Sequence, residues 1–222
     1  MGIEYEDSMF EALGPDNVDM DSIRNSHQCK KKCEIMTNGE LGCELSHVAI
    51  LRDFLSKEFR YCMVFEDDAR VNPAVIDFFA KGGYKTVKET LTMLADTHNE
   101  WEWNQLNLGA CGGRCFDRKY LNVSLPERVK MAAETHSYCA MAYLVTREGA
   151  QLILEEVKYK GLQVADHGIR REKLFKQVSL EPRLFDQTGG QFPAIHQRNG
   201  LKTPQYMGYC MDKDLREKIG HR

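Results

Sequence analysis

Three carboxylates stand together at Glu66-Asp67-Asp68, directly after the apolar run Tyr61-Cys-Met-Val-Phe65. An unpaired carboxylate does not stay in an apolar core, because burying its charge costs too much. The apolar run therefore reads as a strand that ends near Phe65, with the acids at its carboxyl edge. Ligands of open α/β sheets bind at that edge. Clustered oxygens suit a hard divalent cation that also holds a phosphate. The competing reading is an acidic turn that caps the following helix, since Asn72-Pro73 comes next.

The elements that must position these acids follow from pattern. A short continuous apolar run predicts that Tyr61–Phe65 is buried on both faces, as in a parallel sheet. Before it, Thr37-Asn-Gly-Glu40 is a capping box. Leu41, Leu45, Val48, Leu51 and Leu55 then recur at helical spacing to about Glu58. After the acids, helices are predicted over 73–80 and 85–96, and a strand over 103–108. Residues 109–130 read as a long loop, Tyr138–Val145 as a strong strand, and Arg147 to about Val157 as a helix capped by Thr146. Residues 161–168 are a loop holding Asp166-His167, and Lys176–Leu180 a short strand. Residues 1–36 are expected to be irregular and 188–222 to be a wrapping tail around one domain. The alternation of strands and helices predicts an α/β fold, mainly parallel.

Totals set the bounds. The 222 residues carry a net charge of -3, which gives no electrostatic case for nucleic acid. No run reaches membrane-spanning length, and the first residues lack the basic start and apolar stretch of a secretory signal. That start fits the cytoplasm as the chain stands, and a secretory lumen if a targeting segment precedes it. The eight cysteines include the pairs Cys29/Cys33 and Cys111/Cys115. Free thiols lead that reading, disulfides follow and zinc comes third. Cys62 and Cys139 read as small buried hydrophobes. Lys30-Lys31-Lys32 reads as a solvated face. Asn122-Val-Ser124 is an N-glycosylation acceptor triplet.

Gly39-Glu-Leu-Gly-Cys-Glu-Leu-Ser-His47, followed by Phe65-Glu-Asp-Asp-Ala69, resembles glycosyltransferase family 25. The likeness continues through Trp103–Gly109, Ala142–Ala150, Asp166, Glu181-Pro182 and Gln187. It implies a GT-A-like fold, a UDP-sugar donor, manganese or another divalent cation, and inverting transfer of a hexose, typically galactose. Lipooligosaccharide, hydroxylysine-type positions and other glycans are the implied acceptors. On this likeness Asp68 touches the metal, and Glu66 faces the ribose or the metal shell. Glu40, Ser46, His47 and Asp67 join the donor site. Family members open with a strand-helix unit that aligns before Met1. Its contacts are expected to be missing from this chain, which weakens donor binding.

Each residue also has a plainer reading. Glu40 is needed by its capping box. Helical Ser46 can bond its own backbone. Helical His47 can be a structural hydrogen-bonding group. Asp166 can cap a short helix, or can deprotonate an acceptor hydroxyl as general base. His136 and Tyr138 are further ligand candidates. Trp101 and Trp103 can stack on sugar or fill a core. Two other functions remain open: a pseudoenzyme that binds glycan or a partner, and a metal-dependent phosphohydrolase.

Overall fold

A computed structural model of the chain describes residues 9–110, 119–133, 139–165 and 175–187. Contacts divide the chain into two compact units. Unit 1 comprises Met1–Cys62, Val145–Phe175 and Gly190–Thr203, and unit 2 comprises Met63–Leu144, Lys176–Gly189 and Pro204–Arg222.

Unit 1 is built on two helices, α2 (Asn38–Ser56) and α5 (Arg147–Lys160). Helix α2 starts as predicted. The Thr37 N–H donates to Glu40 Oε2 at 2.8 Å, and the Glu40 N–H donates to Thr37 Oγ1 at 3.2 Å. Thr146 caps α5 by accepting from the Gly149 N–H at 3.0 Å. Arg147 then turns its guanidinium onto the carboxyl end of α2. It donates to the carbonyls of Leu55 (2.9 Å), Phe59 (3.3 Å) and Lys57. Those carbonyls lie where a helix runs out of its own donors, and a planar cationic fork can serve several at once.

Residues 9–36, expected to be irregular, contain regular elements. They include the short helix α1 (Met20–Arg24), capped by Asp19, and a 3-10 turn over Cys33–Ile35. Met20, Cys33 and Met36 join Leu41, Leu45, Val48, Val157 and Leu162 in one apolar cluster. Burying such side chains contributes about 1.5–3 kcal/mol each, which offsets the polarity of their neighbours. Cys29 and Cys33 are joined in a disulfide. The free-thiol expectation for this pair is thus corrected. Cys33 has no solvent exposure. The turn before it, closed by the Cys33 N–H donating to the Lys30 carbonyl at 2.7 Å, leaves the two α-carbons 5.1 Å apart, within bridging reach. Cys139 is also disulfide-bonded, not a simple buried hydrophobe. Cys62 is free and half-buried, with its thiol pushed up to about 11 by burial and then by Asp53, against an opposing effect of Lys57. The pair Cys111/Cys115 lies outside the described residues.

The sheet has the strand order β1-β6-β3-β7-β5-β4. These strands are β1 (Tyr61–Phe65), β3 (Gln105–Asn107), β4 (Lys119–Tyr120), β5 (Lys130–Ala133), β6 (Ala142–Thr146) and β7 (Gln177–Glu181). Strands β3 and β7 run parallel, with Leu106 opposite Val178. Strands β5 and β7, and β4 and β5, pair antiparallel. The parallel character is therefore partial, and the α/β class holds. Part of the predicted 109–130 loop is strand β4, and the strong strand begins at Ala142.

Strand β1 ends at Phe65 as predicted but is not buried on both faces. Among the described residues it is an outer strand, with Tyr61, Cys62 and Met63 half-buried and Phe65 45% exposed. A strand with one neighbour leaves a flank open to solvent, whatever its hydropathy. Fully buried Leu106, Met131, Tyr143 and Leu180 form the sheet core of unit 2. Trp103, 1% exposed, donates from Nε1 to Thr97 Oγ1 at 3.3 Å, which selects its core reading. Helices α3 (Pro73–Lys81) and α4 (Val87–Asp96) belong to this unit. Helix α4 begins with a second capping box, Thr86 and Glu89.

Candidate functional site

In unit 2 the three acids form one tight turn. The Ala69 N–H donates to the Glu66 carbonyl at 3.1 Å, and the Glu66 N–H ties back to Met141 O at 2.8 Å. Glu66 is half-buried, Asp67 exposed and Asp68 only 7% exposed. The turn therefore holds a graded set of carboxylates, from solvent to interior, within three consecutive residues. Oxygen donors of this kind match a hard divalent cation.

The turn is braced from behind by a two-stranded ribbon. Strand β2 (Ala69–Val71) pairs antiparallel with β8 (Phe185–Gln187), so that Arg70 lies opposite Asp186. Arg70 Nη1 donates to the carbonyls of Asp67 (3.0 Å) and Ala69 (2.9 Å), which fixes the backbone of the acidic turn. Asn72 caps α3 by accepting from the Ala74 N–H at 3.1 Å. Its Nδ2 donates to Asp186 Oδ2 at 2.9 Å, while Arg183 Nε donates to Asp186 Oδ1 at 2.5 Å. The capping alternative and the ligand alternative are thus separated by residue. Asn72 does the capping, and the acids are not needed for it. Sequence reasoning missed Arg70, Arg183 and Asp186 as supports. Asn72 and Asp186 are 114 positions apart, and no local signal connects them.

In unit 1, Glu40, Ser46 and His47 lie on α2. Glu40 is engaged in the capping box, accepting also from Thr37 Oγ1 at 2.9 Å. Ser46 Oγ donates to the Gly42 carbonyl and accepts from the Leu13 N–H, both at 2.8 Å. Gly42 explains that docking. A Cβ built there would lie 2.3 Å from Leu13 O, so only glycine lets the two backbones approach. His47, 8% exposed, lies near Glu44, which is 6% exposed. Burial raises Glu44 from 4.5 to about 7, opposed by His47 and by a hydrogen bond from the Gln163 backbone. The structure thus brings Glu66, Asp67 and Asp68 into one turn of unit 2, and in unit 1 it places Glu40, Ser46 and His47 along one helix, α2, with Glu40 held apart in the cap. Asp166, His136 and Tyr138 lie outside the described residues.

Comparisons with known proteins give these motifs a context. The model of glycosyltransferase family 25 (LPS biosynthesis protein) matches residues 2–167. A Haemophilus influenzae protein provisionally named a glycosyltransferase is 28% identical over 179 residues, covering 78% of this chain and 57% of that protein. Zebrafish (Danio rerio) procollagen galactosyltransferase 1 is 27% identical over 186 residues, covering 82% of this chain and 24% of that protein. A rat (Rattus norvegicus) protein provisionally named inactive glycosyltransferase 25 family member 3 is 28% identical over 123 residues, 54% of this chain and 18% of that protein. The chain spans little more than half the length of the bacterial relative and about a quarter or less of the two animal proteins. With three quarters of its length inside the family match, running from before the capping box to beyond α5, the chain belongs to glycosyltransferase family 25.

Proposed function

We propose that the chain acts as a hexosyltransferase, moving a sugar, galactose for preference, from a UDP-sugar to a glycan or hydroxylysine-type hydroxyl with inversion. The observation that carries this reading is the Glu66-Asp67-Asp68 turn at the carboxyl end of β1, braced by Arg70. Family membership supports the transferase class, and the name of the zebrafish relative favours galactose. Glu66 and Asp68 would hold a divalent cation, manganese for preference. Such an ion supplies charge neutralisation for a departing diphosphate. Asp67, the exposed member, faces the donor. Arg70 keeps the backbone of the turn fixed, so the carboxylates do not reorganise when substrate arrives. On α2, His47 is proposed to contact donor, and Glu40 and Ser46 combine any such contact with their structural bonds. Asp166 is proposed as the general base that takes the acceptor proton.

The test is calorimetric titration of UDP in the presence of manganese. Asp68→Asn is expected to abolish metal-dependent UDP binding while circular dichroism stays unchanged. Undiminished binding by that variant would sink the assignment. A second reading is a family member without turnover, favoured by the name of the rat relative. It predicts UDP binding with no transfer in a UDP-sugar turnover assay. Release of inorganic phosphate from simple phosphoesters would instead identify a phosphohydrolase.

A further inference from the structure

We infer that Asn122 is an N-glycosylation site and that the chain matures in an oxidising, glycosylating compartment. Three observations of different kinds converge. The first is chemical: Asn122-Val-Ser124 is the one Asn-x-Ser/Thr triplet in the 222 residues, and its middle residue is not proline. The second is geometric. Asn122 and Ser124 are both exposed, in an irregular stretch between β4 and β5. The ladder ends one residue earlier, where the Leu121 N–H donates to Met131 O at 2.9 Å. Beyond it the Ser124 N–H donates to Glu100 Oε2 at 2.8 Å, which holds the triplet out on the surface. A glycan is bulky and needs such a position.

The third observation is redox. The Cys29–Cys33 disulfide and the disulfide at Cys139 belong to chains that fold under oxidising conditions. The compartments of eukaryotic cells that form disulfides also attach glycans to this triplet. The site has a structural use as well. Among the described residues, strand β4 (Lys119–Tyr120) is the other outer strand of the sheet. An open edge is a template for pairing with another chain. A glycan one residue beyond the ladder would shield that edge.

The modification is a group transfer carried out by another enzyme. The side-chain nitrogen of Asn122 attacks the anomeric carbon of a lipid-diphosphate-linked oligosaccharide. A carbon–nitrogen bond forms and the carbon–oxygen bond to the diphosphate breaks. The lipid diphosphate departs, and the amide proton passes to a base of the glycosylating enzyme.

The inference does not rest on the transferase reading. The test takes the full chain, isolated from the cells that make it, and digests it with peptide N-glycosidase. Mass spectrometry is expected to find aspartate at position 122 after digestion, and Cys29 protected from alkylation before reduction. In eukaryotic secretory expression, Asn122→Gln and Ser124→Ala are expected to lose the mobility shift completely. Ser124→Thr keeps the acceptor pattern and should retain the shift, which separates loss of the site from loss of the fold. An unmodified Asn122 in disulfide-bonded chain, or free Cys29 and Cys33 thiols in the native protein, would overturn the inference.

Discussion

Glu44 is expected to make the stability of unit 1 depend on pH near neutrality. Its carboxyl is 6% exposed, and burial, only partly opposed by His47 and the Gln163 N–H, lifts it from 4.5 to about 7. A tenfold change in proton affinity corresponds to about 1.4 kcal/mol, so the difference is worth about 3 kcal/mol. The sign follows from which state holds the proton more tightly. Here the folded state does, so the contribution is fully present below pH 4.5 and is lost as pH rises through about 7. The perturbation is Glu44→Gln, which keeps the shape and removes the charge. Urea unfolding of both proteins at intervals from about pH 5 to 8 reads the effect. The wild type should lose up to about 3 kcal/mol relative to the variant across this window, and the variant should gain most at the alkaline end. Parallel profiles for the two proteins would refute the reasoning. They would mean that water or local rearrangement solvates Glu44 as well in the folded as in the unfolded chain.

Four further outcomes test the site and the scaffold. Asp166→Asn should lower transfer by about 10²-fold or more with donor affinity unchanged, measured as turnover against UDP titration. Arg147→Lys should cost about 1–3 kcal/mol in urea unfolding, because an ammonium cannot span the carbonyls of Leu55, Lys57 and Phe59. Gly42→Ala should cost about 1–3 kcal/mol and expose the segment around Leu13 to limited proteolysis. Arg70→Met should weaken manganese-dependent UDP binding, and Arg70→Lys should restore it in part, since the backbone carbonyls of Asp67 and Ala69 accept from either cation.

Local features were legible in the linear pattern. The Thr37/Glu40 capping box, the Thr146 cap and the end of β1 at Phe65 each depend on residues within a few positions of one another. Their physics is therefore complete in the linear pattern. The acidic turn was legible for the same reason, since three carboxylates cannot continue a buried strand. Most of the remaining features depend on contacts between segments distant in the chain. Strand β1 reads as central by hydropathy but is an outer strand among the described residues, because the number of neighbours is a property of the sheet order. Cys29 and Cys33 are joined because the turn closed by the Cys33 N–H and the Lys30 carbonyl brings them within reach, which their spacing permits without requiring. Gly42 and Ser46 sit in a family-like motif, yet part of their work is to receive the backbone of Leu13. Asn72 meets Asp186 only because β2 and β8 pair across more than a hundred residues. Contacts of that kind depend on which surfaces the folded chain brings together, and residue order alone does not carry that information.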